Sequence, residues 1–137
     1  MSEEENLRVE RRDACLWITL NRAEKANALA VAMMEGATAA LNTARADENV
    51  RAVLLTGAGD RVFCAGADVR EKPRDGDMNA HRKRRSAALA RLLDGIMDMP
   101  KPVISALNGT ASGGGAMIAL LSDARVAVDS ATISLPE

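Results

Sequence analysis

Aromatic residues are almost missing from this chain. It has no tyrosine, one tryptophan and one phenylalanine among 137 residues. Proteins that bind single-stranded nucleic acids stack the bases on aromatic side chains, and this chain has too few of them for that mode of binding. The formal net charge is −1, which also gives no basic excess for a nucleic-acid-binding surface. We therefore expect no nucleic acid among the partners.

Metal ligands and long apolar runs are equally scarce. The single histidine, His81, and the two cysteines, Cys15 and Cys64, give a zinc site too few ligands. Two cysteines fit a reduced cytoplasmic protein, with Cys64 as a small apolar filler. No apolar run approaches the ~20 residues that cross a bilayer, and "MSEEENL" is acidic where a signal peptide is basic. We therefore expect no metal, no membrane contact and no export.

What the chain does have is the composition of a globular protein, with 47% apolar and 27% charged residues. "LRVERRDACLWITLNR" predicts two strands around a turn at Arg12–Asp13. Apolar residues at helical spacing predict one helix within residues 28–45, and a second with Leu89, Leu92, Leu93, Ile96 and Met97 on one face.

Further strands alternate with these helices. "VRAVLLTG" predicts a strand buried on both faces, and residues 103–107 predict another. "AMIALLSD" predicts a helix and "ARVAV" a strand, whereas the polar segment "REKPRDGDMNAHRKRR" predicts a mobile connection. Strands and helices in alternation indicate an α/β layer fold.

Two glycine-rich segments, "TGAGDRVFCAGAD" and "NGTASGGG", each follow a predicted strand and are predicted to be loops. Ligands of parallel sheets gather at the carboxyl ends of strands, and a helix that begins after glycines leaves free N–H groups. Neither segment contains a phosphate loop or a GxSxG elbow, and Val62 weakens the match to a dinucleotide fingerprint. A tight turn explains either segment alone equally well, but two placed alike favour a binding site.

Four segments in this order resemble the crotonase superfamily, the enoyl-CoA hydratases and isomerases: "NRAEKANAL", "VLLTGAGDRVFCAGAD", "KPVISALNGTASGGGAMIALLSDARVA" and "ATISLPE". The resemblance extends from about Leu7 to Glu137. It implies an α/β fold, the ClpP/crotonase spiral of ββα units. Residues 1–137 would form only the N-terminal core, without the C-terminal helical trimerisation region. The parent protein would be a homotrimer or a dimer of trimers.

The same resemblance implies an acyl-CoA thioester as the substrate. The backbone N–H groups of Ala67 and Gly114 would form an oxyanion hole, in which fixed donors stabilise the charge that develops on the thioester oxygen. The thioester is itself the electron sink, so no metal or redox cofactor is expected and coenzyme A is part of the substrate. The implied substrate-binding positions also include Lys25, Ala26, Ala28, Ala65, Asp68, Val69, Gly113, Met117 and Pro136.

The acid–base residues depart from the pattern of the superfamily's hydratases, which use two glutamates. Glu137 matches the second, but Met117 replaces the first and cannot transfer a proton. A single carboxylate in an apolar pocket has a raised pKa and can move a proton from one carbon to another, which favours isomerase-type chemistry. Hydration by an altered site and a non-catalytic acyl-CoA-binding role stay open. Because the pocket-closing helices of the family lie beyond Glu137, we expect this chain alone to be inactive and poorly stable.

Other polar residues have less specific interpretations. A Clp-type serine peptidase with Ser112 as nucleophile is a remote alternative, because the only histidine lies upstream in a basic segment. His81 and residues 82–85 predict a solvated helix face, or else a contact with coenzyme A phosphates. Asp68 is expected to cap the next turn, and Asp123 to play a structural role at a helix end.

Overall fold

A computed structural model describes residues 6–136 of the chain. Its elements are, in chain order, β1 (Leu7–Arg12), β2 (Cys15–Leu20), a one-turn 3₁₀ helix (Ala23–Lys25), α1 (Val31–Ala46), β3 (Ala52–Gly57), β4 (Val62–Cys64), α2 (Met78–Met97), β5 (Val103–Leu107), β6 (Thr110–Ser112), α3 (Gly114–Leu121), β7 (Ala124–Ala127) and β8 (Ile133–Ser134). None of these helices is long and apolar enough to cross a membrane.

The strands form two sheets. The larger has the order β1-β2-β3-β5-β7 and the smaller the order β4-β6-β8. β1 and β2 pair as an antiparallel hairpin around the predicted turn, where Asp13 adopts a φ of 55°. Every other pairing is parallel, because a helix separates successive strands of the larger sheet. In chain order, β3 and β4 are followed by α2, and β5 and β6 are followed by α3. This order confirms the predicted spiral of ββα units.

The core joins the larger sheet to α1, α2 and α3, each of which contributes buried apolar residues. In β3, Val53 and Leu55 are buried while Leu54 between them is only half-buried, and β5 shows the same alternation. The prediction that "VRAVLLTG" is buried on both faces is therefore wrong. Successive side chains of a strand point to opposite faces, and here one face of the sheet packs fully while the other stays partly open.

Two further expectations need correction. The glycine-rich segments are not continuous loops, because they contain β4 and β6, which are three residues long and too short to show a periodicity. On α2, Leu92 and Ile96 are buried as predicted, but Met97 is 53% exposed. Met97 follows Ile96 by one residue, so it lies about 100° further round the helix.

The elements at the far end of the chain are the least covered. All four residues of β7 and both residues of β8 are exposed. The exposed apolar side chains there include Leu120, Val126, Ile133 and Leu135. Apolar patches of this kind mark contact surfaces of proteins or promote association.

Candidate functional site

Two asparagine side chains hold together the segments that follow β2, β3 and β5. Asn27 is fully buried; its Nδ2 donates to Ala58 O at 3.0 Å and to Val62 O at 2.9 Å. Its Oδ1 accepts a hydrogen bond from Arg22 N at 2.8 Å. The φ of Asn27 is 52°, a left-handed conformation that asparagine tolerates better than most residues. One side chain thus fixes the chain on both sides of the turn between β3 and β4.

Asn108 makes the matching contacts from the end of β5. Its Oδ1 accepts from Gly57 N at 3.1 Å, and its Nδ2 donates to Gly59 O and Val62 O, both at 3.0 Å. A Cβ at Gly57 would lie 2.8 Å from Asn27 Nδ2 and 2.9 Å from Asn108 Oδ1, so this position must be glycine. Sequence reasoning missed both asparagines. The dipeptide Asn108-Gly109 after a strand was a usable turn signal.

The orientation of the Ala67 amide is set by a hydrogen bond to the carbonyl of the same peptide unit. Gly66 O, at the other end of that unit, accepts a hydrogen bond from Leu29 N at 2.8 Å. Because a trans peptide places C=O and N–H on opposite sides, the N–H of Ala67 points away from Leu29. Within residues 6–136 it has no hydrogen-bond acceptor.

The amide of Gly114 is aimed in the same way by the start of α3. Gly113 O accepts from Met117 N at 3.1 Å, so the N–H at the other end of the Gly113–Gly114 peptide points out of the helix. No acceptor for it exists in the described part of the chain. Gly113 has a φ of 55° and ψ of −125°, a conformation that only glycine adopts readily.

The two free amides lie side by side. A Cβ built on Gly114 would be 3.8 Å from Ala67 N, and one built on Gly66 would be 3.2 Å from Gly114 N. An oxyanion hole requires N–H groups that are not already bonded within the protein. The structure places the two residues that the resemblance implied as donors next to each other, and neither amide has an acceptor within residues 6–136.

A pocket of about 790 Å³ opens beside Ala67. Its lining residues are Arg22, Glu24, Lys25, Ala26, Ala28, Ala65, Ala67, Asp68, Val69, Arg70, Glu71 and Lys72. This set includes seven of the implied substrate-binding positions: Lys25, Ala26, Ala28, Ala65, Ala67, Asp68 and Val69.

The remaining implied positions lie elsewhere. Gly113, Gly114 and Met117 are at the start of α3 and are not part of this pocket's lining. Met117 is 39% exposed, and Pro136 is exposed as well. Glu137, to which the sequence assigns the acid–base role, lies outside the described residues.

Comparison with known proteins now decides the family. The family profile described as enoyl-CoA hydratase/isomerase matches residues 10–137. The chain belongs to the enoyl-CoA hydratase/isomerase family.

Individual members agree with this. A putative enoyl-CoA hydratase/isomerase from Bacillus subtilis, YngF, is 39% identical over 121 residues, which are 88% of this chain and 45% of the relative. The short-chain-enoyl-CoA hydratase of Clostridium acetobutylicum is 35% identical over 96% of this chain and 50% of its own length. A crystal structure of an enoyl-CoA hydratase from Bacillus anthracis superimposes with a TM-score of 0.87 at 36% identity, covering 95% of this chain and 50% of that one. The chain thus spans about half the length of the relatives it matches.

In this family member, a buried ion pair forms part of the pocket wall. Arg22 Nη1 lies 2.9 Å from Asp68 Oδ2, and each side chain is 9% exposed. Burial raises the pKa of Asp68, but hydrogen bonds from Arg70 N and from the Arg22 guanidinium, together with the charges of Arg22 and Lys25, lower the pKa more. Asp68 Oδ1 accepts from Arg70 N at 2.9 Å, so it caps the next turn as expected. The pairing with Arg22 was not foreseen from the sequence.

His81 contradicts its sequence interpretation. Its side chain is buried, with 4% of the residue exposed, although Arg82, Lys83 and Arg84 beside it are on the solvated face that was predicted. His81 Nε2 lies 3.3 Å from Glu71 Oε1, without the alignment of a hydrogen bond. The same Glu71 oxygen accepts from Val31 N at 3.1 Å, where α1 begins. Packing of α2 on α1 therefore turns this histidine inward.

The remaining candidates have structural roles. Ser112 donates to Ala65 O at 3.4 Å, and within residues 6–136 no hydrogen bond links it to His81, so a peptidase dyad is not formed. Cys64 is buried, and burial raises the pKa of its thiol to about 11, which leaves it unreactive. Asp123 Oδ2 accepts from Val103 N at 2.8 Å and fixes the start of β5.

Proposed function

We propose that this chain forms the thioester-binding half of an enzyme that acts on acyl-CoA through a stabilised enolate. The observation that carries the proposal is the pair of free amides of Ala67 and Gly114, which lie beside each other at the ends of two turns. An enolate places negative charge on the thioester oxygen, and donors already fixed in position stabilise that charge without reorganising. Loss of one such donor lowers rates by roughly 10²–10³ in enzymes.

The charges around the pocket suit the remainder of coenzyme A. Lys25, Arg70 and Lys72 line the pocket and make no ion pair within residues 6–136, whereas Asp68 is neutralised by Arg22. Glu24 is the one other acidic residue of the lining besides Glu71, which contacts His81. The available charge is therefore positive. Lys and Arg are the side chains that bind phosphate oxygens best.

The chemistry of proton transfer falls to Glu137 in this proposal. Its carboxylate would take a proton from C2 of a 3-enoyl thioester, and the resulting dienolate would be held by Ala67 and Gly114. Return of the same proton to C4 gives the 2-enoyl product with no cofactor and no net change in composition. Met117 offers no second proton-transfer group, which is why a one-carboxylate isomerisation is favoured over hydration.

Hydration of a 2-enoyl thioester is the second candidate. It is favoured by the relatives in Bacillus subtilis and Clostridium acetobutylicum, whose names include enoyl-CoA hydratase activity. A non-catalytic protein that only binds acyl-CoA is the third, because Met117 removes one proton-transfer group. We also propose, on the family resemblance, a homotrimer or dimer of trimers in the cytoplasm.

Paired assays test this proposal. Isomerisation of a 3-enoyl-CoA and hydration of crotonyl-CoA are measured with this chain and with the longest polypeptide that contains it. For the longer polypeptide the expected result is isomerisation above hydration, and loss of both in Glu137→Gln with thioester affinity retained, whereas this chain alone is expected to be inactive. Normal turnover by Glu137→Gln would show that the base is misassigned. Equal affinity for coenzyme A and its thioesters would show that the amides of Ala67 and Gly114 do not bind the thioester oxygen.

A further inference from the structure

The buried ion pair of Arg22 and Asp68 needs a physical reason for being there. Removing both charges from water costs several kcal/mol per ion, and an apolar pair of similar size is often at least as stable. The pair is retained here with an N–O distance of 2.9 Å and both side chains 9% exposed. Its surroundings show that the guanidinium does more than balance the carboxylate.

Arg22 is the first member of a chain of hydrogen bonds that ends at the Ala67 amide. Arg22 Nη1 donates to Ala28 O at 3.0 Å. Ala28 O and Leu29 N belong to one peptide unit, and Leu29 N donates to Gly66 O at 2.8 Å. Gly66 O and Ala67 N belong to the next peptide unit. A cation is thus connected through two peptide groups to the donor that faces the thioester oxygen.

We propose that Arg22 is a positioning residue that orients and polarises the Ala67 amide for an oxyanion. A cation at the carbonyl end of a peptide withdraws electron density from it and makes its N–H a stronger donor. Successive hydrogen bonds in a chain strengthen one another in the same direction. The inference rests on the function proposed above and adds a residue that does not itself touch the reacting atoms.

Asp68 keeps Arg22 in this role. Arg22 lines the pocket, so without a partner its guanidinium would be free to turn toward the phosphates of a ligand. Asp68 N also donates to Leu29 O at 2.9 Å, which holds the other side of the Leu29–Ala67 bridge. The carboxylate therefore ties the guanidinium to the same turn that its hydrogen bonds orient.

The Gly114 amide provides an internal reference. Its peptide unit is fixed by Met117 N and receives nothing from Arg22. A change in the guanidinium should therefore weaken the Ala67 donor and leave the Gly114 donor as it is. General damage to the fold would affect both amides.

Spectroscopy of bound acetoacetyl-CoA tests the proposal. Its enolate absorbs in the near ultraviolet, and its thioester carbonyl stretch reports polarisation. Arg22→Met should reduce the preference for acetoacetyl-CoA over coenzyme A by about tenfold, the scale of one hydrogen bond. Arg22→Lys keeps the cation and should restore part of the carbonyl shift. In Arg22→Met, the change in amide chemical shift on binding acetoacetyl-CoA should be smaller than in the wild type for Ala67 and the same as in the wild type for Gly114.

Lys101→Met is the matched control. Like Arg22, Lys101 donates to backbone carbonyls: its Nζ contacts Ala44 O, and Asp47 O at 2.7 Å. These carbonyls lie at the end of α1, whereas Arg22 acts before its start. It should change neither the preference nor the carbonyl shift. An unaltered carbonyl shift in Arg22→Lys and Arg22→Met, with wild-type preference intact, would overturn the role of Arg22. A wild-type protein that does not prefer the thioester would instead overturn the proposed function.

Discussion

The two turns that present the amides are built in different ways. The turn at Ala67 is held partly by a side chain from another part of the chain, because Arg22 pairs with Asp68 and donates to Ala28 O. The turn at Gly114 is held mainly by backbone hydrogen bonds, because Gly113 O accepts from Met117 N and Gly113 N donates to Ser134 O. The first can be altered by removing a side chain and the second only by adding one.

A methyl group at Gly115 should be the most damaging change. A Cβ there would overlap the carbonyl of Cys64 and lie 2.7 Å from Cys64 Cβ, both in the buried core. Relief requires movement of β4, so the loss should exceed the ~1–3 kcal/mol that an extra methylene costs in a packed core. Urea denaturation of Gly115→Ala measures this loss.

Gly114→Ala is the control for that experiment. Its added Cβ would come no closer to any atom than 3.5 Å, at Leu89 Cδ2, which is an ordinary contact. We expect stability to be kept, because alanine favours helices over glycine. The methyl would lie 3.8 Å from Ala67 N, so thioester preference should fall instead. Equal stability of Gly114→Ala and Gly115→Ala would contradict the backbone-packing account of this turn.

Asn27→Ala should give the next largest effect, at the turn between β3 and β4. It removes the hydrogen bonds from Asn27 to Ala58 O, Val62 O and Arg22 N, of which Val62 O keeps a second bond from Asn108, and it places alanine at a φ of 52°. We expect the free energy of unfolding to fall by about 2–4 kcal/mol. Asn42→Ala, at an exposed position of α1, should change it by no more than ~0.5 kcal/mol. A loss of similar size in both variants would show that Asn27 does not hold the turn.

The same contrast explains what could be predicted from the sequence. The long helices could be predicted, because the apolar residues of α1 and of the end of α2 repeat at helical spacing. The two amides came from a family resemblance and require only backbone, which glycine patterns reveal. Asn27, Arg22 and the burial of His81 could not be predicted, since each depends on contacts with residues far along the chain. No local pattern distinguishes a buried polar side chain from an exposed one.

Acid should weaken the turn at Ala67 by protonating the carboxylate of Asp68. This is a smaller change than removing the side-chain amide of Asn27. Asp68 has a lowered pKa in the folded state, so its stabilising contribution is complete above the unfolded value of about 3.9. It is lost as the pH falls through the folded pKa. The difference in unfolding free energy between wild type and Asp68→Asn should be constant from about pH 5 to 8 and shrink below about pH 4. A difference that does not shrink in acid would show that Asp68 gains nothing from its charge.

The smallest effect on stability is expected at Met117. Its backbone N–H orients the Gly114 peptide, but the residue is 39% exposed, so Met117→Gln and Met117→Glu should each change the free energy of unfolding by no more than ~0.5 kcal/mol. The two variants have nearly the same shape, and only glutamate can transfer a proton. If acid–base capacity at this position separates hydration from isomerisation, Met117→Glu alone should raise the ratio of crotonyl-CoA hydration to 3-enoyl-CoA isomerisation. An equal shift with Met117→Gln would mean that side-chain polarity, not proton transfer, sets the outcome.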